Sequence, residues 1–114
     1  MSSQIVFTPI RQLAELVKSR QVSPVELANL FLDRLEKRAP SYNALATLTR
    51  ERASEQAARA EREIAAGNYK GPLHGIPWGA KDLLATSGGI PTSWGAAPFK
   101  DQTFDFDATV VRKL

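Results

Sequence analysis

Apolar positions along the first two-thirds of the chain recur at helical spacing. Ile10, Leu13, Leu16 and Val17 fall on one face, and Thr8-Pro9 ahead of them predicts the start: a Thr side chain caps, and Pro is tolerated at the first helical position. A second helix is announced by Ser23-Pro24-Val25-Glu26, a capping box with Pro at its first helical position. Leu27, Leu30, Phe31 and Leu35 form its stripe, and Pro40 prevents continuation. Residues 43–49 are short and partly β-branched, which predicts a strand. A third helix, 50–66, is rich in Ala, Glu and Arg and is stopped by Gly67-Asn68. Its apolar face, Ala53, Ala57, Ala60 and Ile64, is narrow. Residues 76–82 predict a second strand, with Pro77 marking its beginning. Gly88-Gly89, Pro91, Gly95 and Pro98 then interrupt any period, so 86–106 reads as loop. Asp107 is placed to cap a last helix containing Val110, Val111 and Leu114.

Composition changes character near residue 67. Six of the seven glycines come after it, between Gly71 and Gly95. The final helix has one apolar turn and no C-terminal signal, and two-turn helices without tertiary support are marginal in water. A twenty-residue structureless loop also sits poorly inside a self-sufficient domain. Both features lead to the expectation that these 114 residues are the front portion of something larger.

Charge excludes more than it suggests. Fifteen Lys and Arg against twelve Asp and Glu leave +3, too mild to argue for nucleic acid or an anionic membrane as a direct partner. The absence of cysteine removes disulfides, thiolate nucleophiles and cysteine-ligated zinc, and one histidine, His74, does not build a metal site. Hence no cofactor is expected. Met1-Ser2-Ser3-Gln4 has no basic region ahead of an apolar one, and no apolar run approaches the ~20 residues that span a bilayer. The expected location is the cytoplasm.

Candidate chemistry concentrates in Gly71-Pro72-Leu73-His74-Gly75-Ile76-Pro77-Trp78-Gly79-Ala80-Lys81-Asp82. Its glycines allow close approach of backbone or ligand. Lys81 ends the apolar stretch 76–80. A lysine covered there loses hydration, which disfavours the ammonium and makes the amine a usable base near neutral pH. The alternative is a lysine that reaches solvent and pairs with a nearby acid, as most lysines do.

This segment resembles the G-P-L-x-G-I-P-x-x-x-K-D signature of the amidase signature family. The resemblance continues through Gly89-Ile90-Pro91-Thr92-Ser93-Trp94-Gly95, similar to G-x-P-T-T-x-G-S, and through Asp105-Phe106-Asp107-Ala108-Thr109-Val110-Val111, similar to D-x-D-A-T-V-V. It implies an α/β fold, a mixed β-sheet between helical layers, with this chain supplying the opening helices and first strands. Residues 1–114 are then the N-terminal part of a single amidase domain, helical over 1–67 and carrying the lysine segment over 68–114. The implied activity is hydrolysis of small-molecule carboxamides by a Ser–cis-Ser–Lys triad. Lys81 occupies the lysine position, and its implied role is to take a proton, through a bridging serine, from the serine that attacks the carbonyl. None of Ser2, Ser3, Ser19, Ser23, Ser41, Ser54, Ser87 or Ser93 sits in a G-S-S-G-G context, so both serines are expected outside this chain, which is expected to be inactive alone.

The neighbouring residues have plainer readings. His74 fills a variable position of the motif and is expected to hydrogen-bond within its turn. Asp82 either orients a neighbouring backbone group or balances the charge of Lys81. Ser93 replaces the second threonine of the family's pair, and Ala96 stands where the pattern has Ser. Trp78 and Trp94 are read as packing residues, and the charge alternation of 50–63 as a solvated helix face. Two other functions stay open: the A component of an amidotransferase that frees ammonia from glutamine for a partner, and a catalytically silent interaction module exposing Leu27, Phe31, Leu35 and Val110. A homodimer or the other amidotransferase subunits are the protein partners these readings admit.

Overall fold

A computed structural model describes residues 3–114. Met1 and Ser2, part of the segment inspected for a leader pattern, lie outside the described residues. The chain divides into two units, one ending at Pro77 and the other running Trp78–Leu114. No helix among the described residues is long and apolar enough to cross a membrane.

The first unit is helical. A 3-10 turn, Ser3–Phe7, leads into α1, Ile10–Lys18, followed by α2, Pro24–Arg38, a 3-10 turn Ala39–Tyr42, and α3, Arg50–Ala65. The serine half of the α2 capping box acts as its sequence predicts: Ser23 Oγ accepts from the Val25 and Glu26 amides at 3.0 and 3.3 Å. Its hydroxyl also donates to the Glu61 carboxylate on α3, so the cap ties two helices together. α1 starts differently from expectation. Its N-cap is Pro9, and the Thr8 hydroxyl turns back to the Gln4 carbonyl at 3.3 Å, an alternative partner that short polar side chains often take.

Two helix ends show the same left-handed closure. After α3, the Gly67 amide (φ +86°) donates to Ile64 O and the Asn68 amide to Glu63 O. After α1, the Arg20 amide (φ +59°) donates to Val17 O and the Gln21 amide to Leu16 O. These paired bonds satisfy the carbonyls that a helix end leaves open. Gly67 takes the conformation freely, whereas Arg20 holds it against its own Cβ.

Leu13, Val17, Val22, Leu27 and Ile64 form the core, with Ile5, Leu16, Phe31, Tyr69 and Ile76 packed against it. α2 packs on α3, where the small buried Ala57 and Ala60 let the backbones approach. The stripe of α2 is buried unevenly: Leu27 is 0% exposed, Leu30 and Phe31 are half-buried and Leu35 is 40% exposed. Leu27 therefore does not belong to an exposed apolar face. Gly75 shows why the segment after α3 needs a glycine: at φ +82°, an added Cβ would lie 2.8 Å from Pro24 Cγ and 3.3 Å from Val17 Cγ1. Gly75→Ala is expected to cost about 1–3 kcal/mol, since left-handed strain adds to a clash with a rigid ring. Gly67→Ala, with the same kind of φ and nothing within 4 Å, isolates the strain alone and costs less. Urea unfolding of the two variants separates these contributions; equal losses would mean the Pro24 ring yields.

The second unit has two short helical pieces, a 3-10 turn at Ala97–Phe99 and α4, Thr109–Lys113. None of its apolar side chains is buried; its buried residue is Thr92, 1% exposed. The loop expected over 86–106 is there, broken by that single 3-10 turn. The strands expected at 43–49 and 76–82 are not: among the described residues there is no strand. A strand is completed by a partner whose N–H and C=O groups face its own, and neither segment has one here. Residues 43–47 are exposed, and the Ala44 amide bonds to Ala39 O in the turn that closes α2. Asp107 is likewise not a cap. The N-cap of α4 is Ala108, whose amide bonds to Ala85 O at 2.8 Å, and the Asp107 carboxylate accepts the Ser87 N–H and O–H at 2.8 and 3.0 Å.

Candidate functional site

The second unit buries no apolar side chain fully, and four of its hydrogen bonds meet at the Lys81-Asp82 step. The Lys81 carbonyl accepts the Leu84 amide at 3.0 Å, closing a turn. The Asp82 carbonyl accepts the Trp94 amide at 3.0 Å. Its carboxylate accepts from Ser93 twice, from the amide at 2.9 Å and from the hydroxyl. Of the two roles considered for Asp82, its carboxylate therefore takes the first and orients a neighbouring segment. Lys81 itself is solvent-exposed. It ends an irregular stretch, not a strand, and residues 78–114 do not cover it.

The segment that Asp82 holds is rigid for local reasons. Thr92 precedes it, its amide bonded to Gln102 O at 2.7 Å and its carbonyl accepting Gln102 Nε2 at 3.0 Å. Trp94 and Gly95 are both left-handed, at φ +55° and +71°, the central pair of a turn closed by Ala96 N to Ser93 O at 3.0 Å. Gly95 adopts this freely and Trp94 does so under strain. Ser93 Oγ also accepts the Gly95 amide at 3.2 Å, so this hydroxyl is occupied as donor and acceptor and is no nucleophile. The tryptophans are not the buried packing residues expected from sequence: Trp78 is 41% and Trp94 51% exposed. Trp94 instead packs at a tilt with Phe99 and Phe104, at ring separations of 5.1 and 6.2 Å. A type of residue that usually buries has nothing in this unit deep enough to receive it.

The histidine belongs to the first unit. His74 Nδ1 accepts the Lys70 amide at 3.1 Å, so its local bond within the turn is as expected. That bond makes Nε2 the protonated nitrogen of the neutral ring, and it donates to Glu63 Oε2 at 2.8 Å. Lys70 Nζ meets the same oxygen at 2.8 Å. Glu63 thus leaves the solvated face to which its position on α3 assigned it, while Arg50 reaches across to Asp33 and Glu36 of α2. Helical periodicity carries no signal for Glu63, because its partners arrive only when the chain turns back after Gly67. Among the described residues, no three His, Cys, Asp or Glu side chains come together as metal ligands would.

Lys70, with His74 assisting and partial burial opposing, holds the Glu63 carboxyl below its ordinary value. A depressed folded value stabilises the fold above the unfolded carboxylate's pKa, about 4.3, and the contribution is lost as pH falls from there through the lowered folded value. Glu63→Gln is therefore expected to lower stability at pH 7 and to remove part of the acid-induced loss. The gap between variant and wild type closes as the medium is made more acidic. Thermal unfolding followed from pH 7 to pH 3 reads this directly; a gap that does not narrow would dissociate Glu63 from the effect.

Comparison with known proteins covers both units. Residues 26–114 match the Amidase family model. Over 105 residues the chain is 45% identical to a glutamyl-tRNA(Gln) amidotransferase component of the A type from Azoarcus sp., and 39% identical to its namesake from Dechloromonas aromatica. Both alignments take in 92% of this chain and 21% of the relative. An acylamidase from Rhodococcus erythropolis is 38% identical over 103 residues, 90% of this chain and 21% of that protein. The chain spans about a fifth of the length of the curated relatives it matches.

Proposed function

The chain belongs to the amidase family, and on that premise we propose that residues 1–114 are the opening portion of a carboxamide hydrolase whose base is Lys81. The substrate is a small-molecule amide. A serine from polypeptide outside these residues attacks the amide carbonyl and passes its proton, through a second serine, to the Lys81 amine. The tetrahedral oxyanion collapses to an acyl-enzyme as ammonia or an amine leaves with a proton, and water then releases the acid. The observation that supports this most is the family match over residues 26–114 with Lys81 at the lysine position of its ordered motif, on a turn closed by its own carbonyl. A base must lie within hydrogen-bond reach of its proton donor, so on this reading the segment that brings the serines also covers Lys81, which residues 78–114 leave exposed.

A second reading is favoured by the amidotransferase components among the relatives: the same chemistry applied to glutamine, with ammonia passed to a partner protein that works on a charged tRNA. One assay separates the two. Full-length protein releasing ammonia from simple amides such as propionamide and benzamide supports the stand-alone hydrolase. Release confined to glutamine, and raised by amidotransferase partners with charged tRNA, supports the amidotransferase role. No release under either condition overturns both.

A further inference from the structure

The bonds around Lys81 assign a task to two residues that do not touch the reacting atoms. Residue 82 is held at its carbonyl by the Trp94 amide and at its carboxylate by the Ser93 amide and hydroxyl. One residue upstream, the Lys81 carbonyl is held by Leu84. The second unit buries no apolar side chain fully, and these four bonds hold the backbone at 81–82. The Asp82 carboxylate meets Ser93 through two charge-assisted bonds, which are shorter and stronger than neutral ones. The Ser93 hydroxyl is in turn aimed by the Gly95 amide.

We infer that Asp82, acting through Ser93, is the positioning residue for the Lys81 amine. The inference rests on the reading of Lys81 as the base, and the pair of residues acts on the direction in which the lysine stem leaves the backbone. Misplacement of a catalytic group by a fraction of an ångström is felt in the chemical step more than in substrate binding.

The test is a double-mutant cycle in the full-length protein, reading ammonia release from propionamide. Ser93→Ala keeps the Asp82 charge and the amide bond but loses the hydroxyl bond. Expected is a fall in kcat of about tenfold with KM changed less than twofold. Ser93→Thr, which restores a hydroxyl, returns kcat to within about twofold of wild type. In a Lys81→Ala background the Ser93→Ala change has no further effect, because the group it positions is gone. Wild-type kcat in Ser93→Ala, a loss confined to KM, or an equal fall in both backgrounds each overturns the inference while leaving Lys81 as the base. Full activity in Lys81→Ala overturns the functional reading and this inference with it. Should Ser93→Ala lose its native circular dichroism spectrum, Asp82→Asn, which keeps volume and one acceptor, is taken through the same cycle with the same criteria.

Discussion

Lys81→Ala in the full-length protein is expected to reduce kcat for carboxamide hydrolysis by about 10²–10⁴-fold, the range that a positioned general base contributes. The fold should be untouched. The Lys81 side chain is exposed, and what the second unit uses at this position is the carbonyl that accepts Leu84, which alanine retains. KM for a small amide should change little, because the amine acts on the nucleophile's proton and not on the ground-state substrate. Steady-state kinetics paired with circular dichroism tests both halves. A variant with most of its activity would remove Lys81 from the mechanism, and a variant that unfolds would make its role structural.

Leu27→Ala is expected to have the largest effect on stability, about 2–5 kcal/mol. Leu27 is 0% exposed, at the centre of a cluster with Leu13, Val17, Val22 and Ile64 contributed by α1, α2, α3 and the connection between the first two. Truncation removes the burial of its side chain and leaves a cavity that the close-packed helices around it cannot fully close. Against a typical total of about 5–15 kcal/mol, such a loss moves the unfolding midpoint far. Leu35→Ala, on the same helix but 40% exposed, should cost less than about 1 kcal/mol. Urea unfolding of the two variants distinguishes the buried end of the α2 stripe from its exposed end; similar losses would mean that Leu35 is covered in solution.

The elements that sequence locates well are those whose signals are local. Ser23-Pro24-Val25-Glu26 opens α2 because a hydroxyl two and three residues from the amides it caps needs nothing else in the molecule. Gly67 closes α3 for the same reason, supplying a left-handed residue where the closing bonds require one. The misread positions are those with more than one partner within reach. Thr8 and Asp107 each carry a capping side chain in a capping position, yet Thr8 returns to Gln4 and Asp107 reaches back twenty residues to Ser87. The two strands fail differently: β-propensity describes how a segment fits a pleated surface, and here no neighbour supplies that surface.

The candidate site follows the same division. Lys81 stands out through the ordered motif around it and would be unremarkable without that context. Ser93 shows in the sequence only as a substituted threonine, and its bond to Asp82 spans eleven residues with no periodicity to betray it. Glu63 reads as one more charge on a solvated helix until His74 and Lys70 meet it in the folded chain.

By itself the sequence determined the helices, their principal stops, the irregular character of 86–106 and the lysine on which the chemistry is proposed to turn, because propensity, capping and ordered motifs are written within a few consecutive residues. Tertiary structure alone decided which side chains are spent on holding the backbone: Asp82 on Ser93, Asp107 on Ser87, Glu63 on His74 and Lys70. A polar side chain takes whichever partner the folded chain brings within about 3 Å of it, and that choice is made by where distant segments meet.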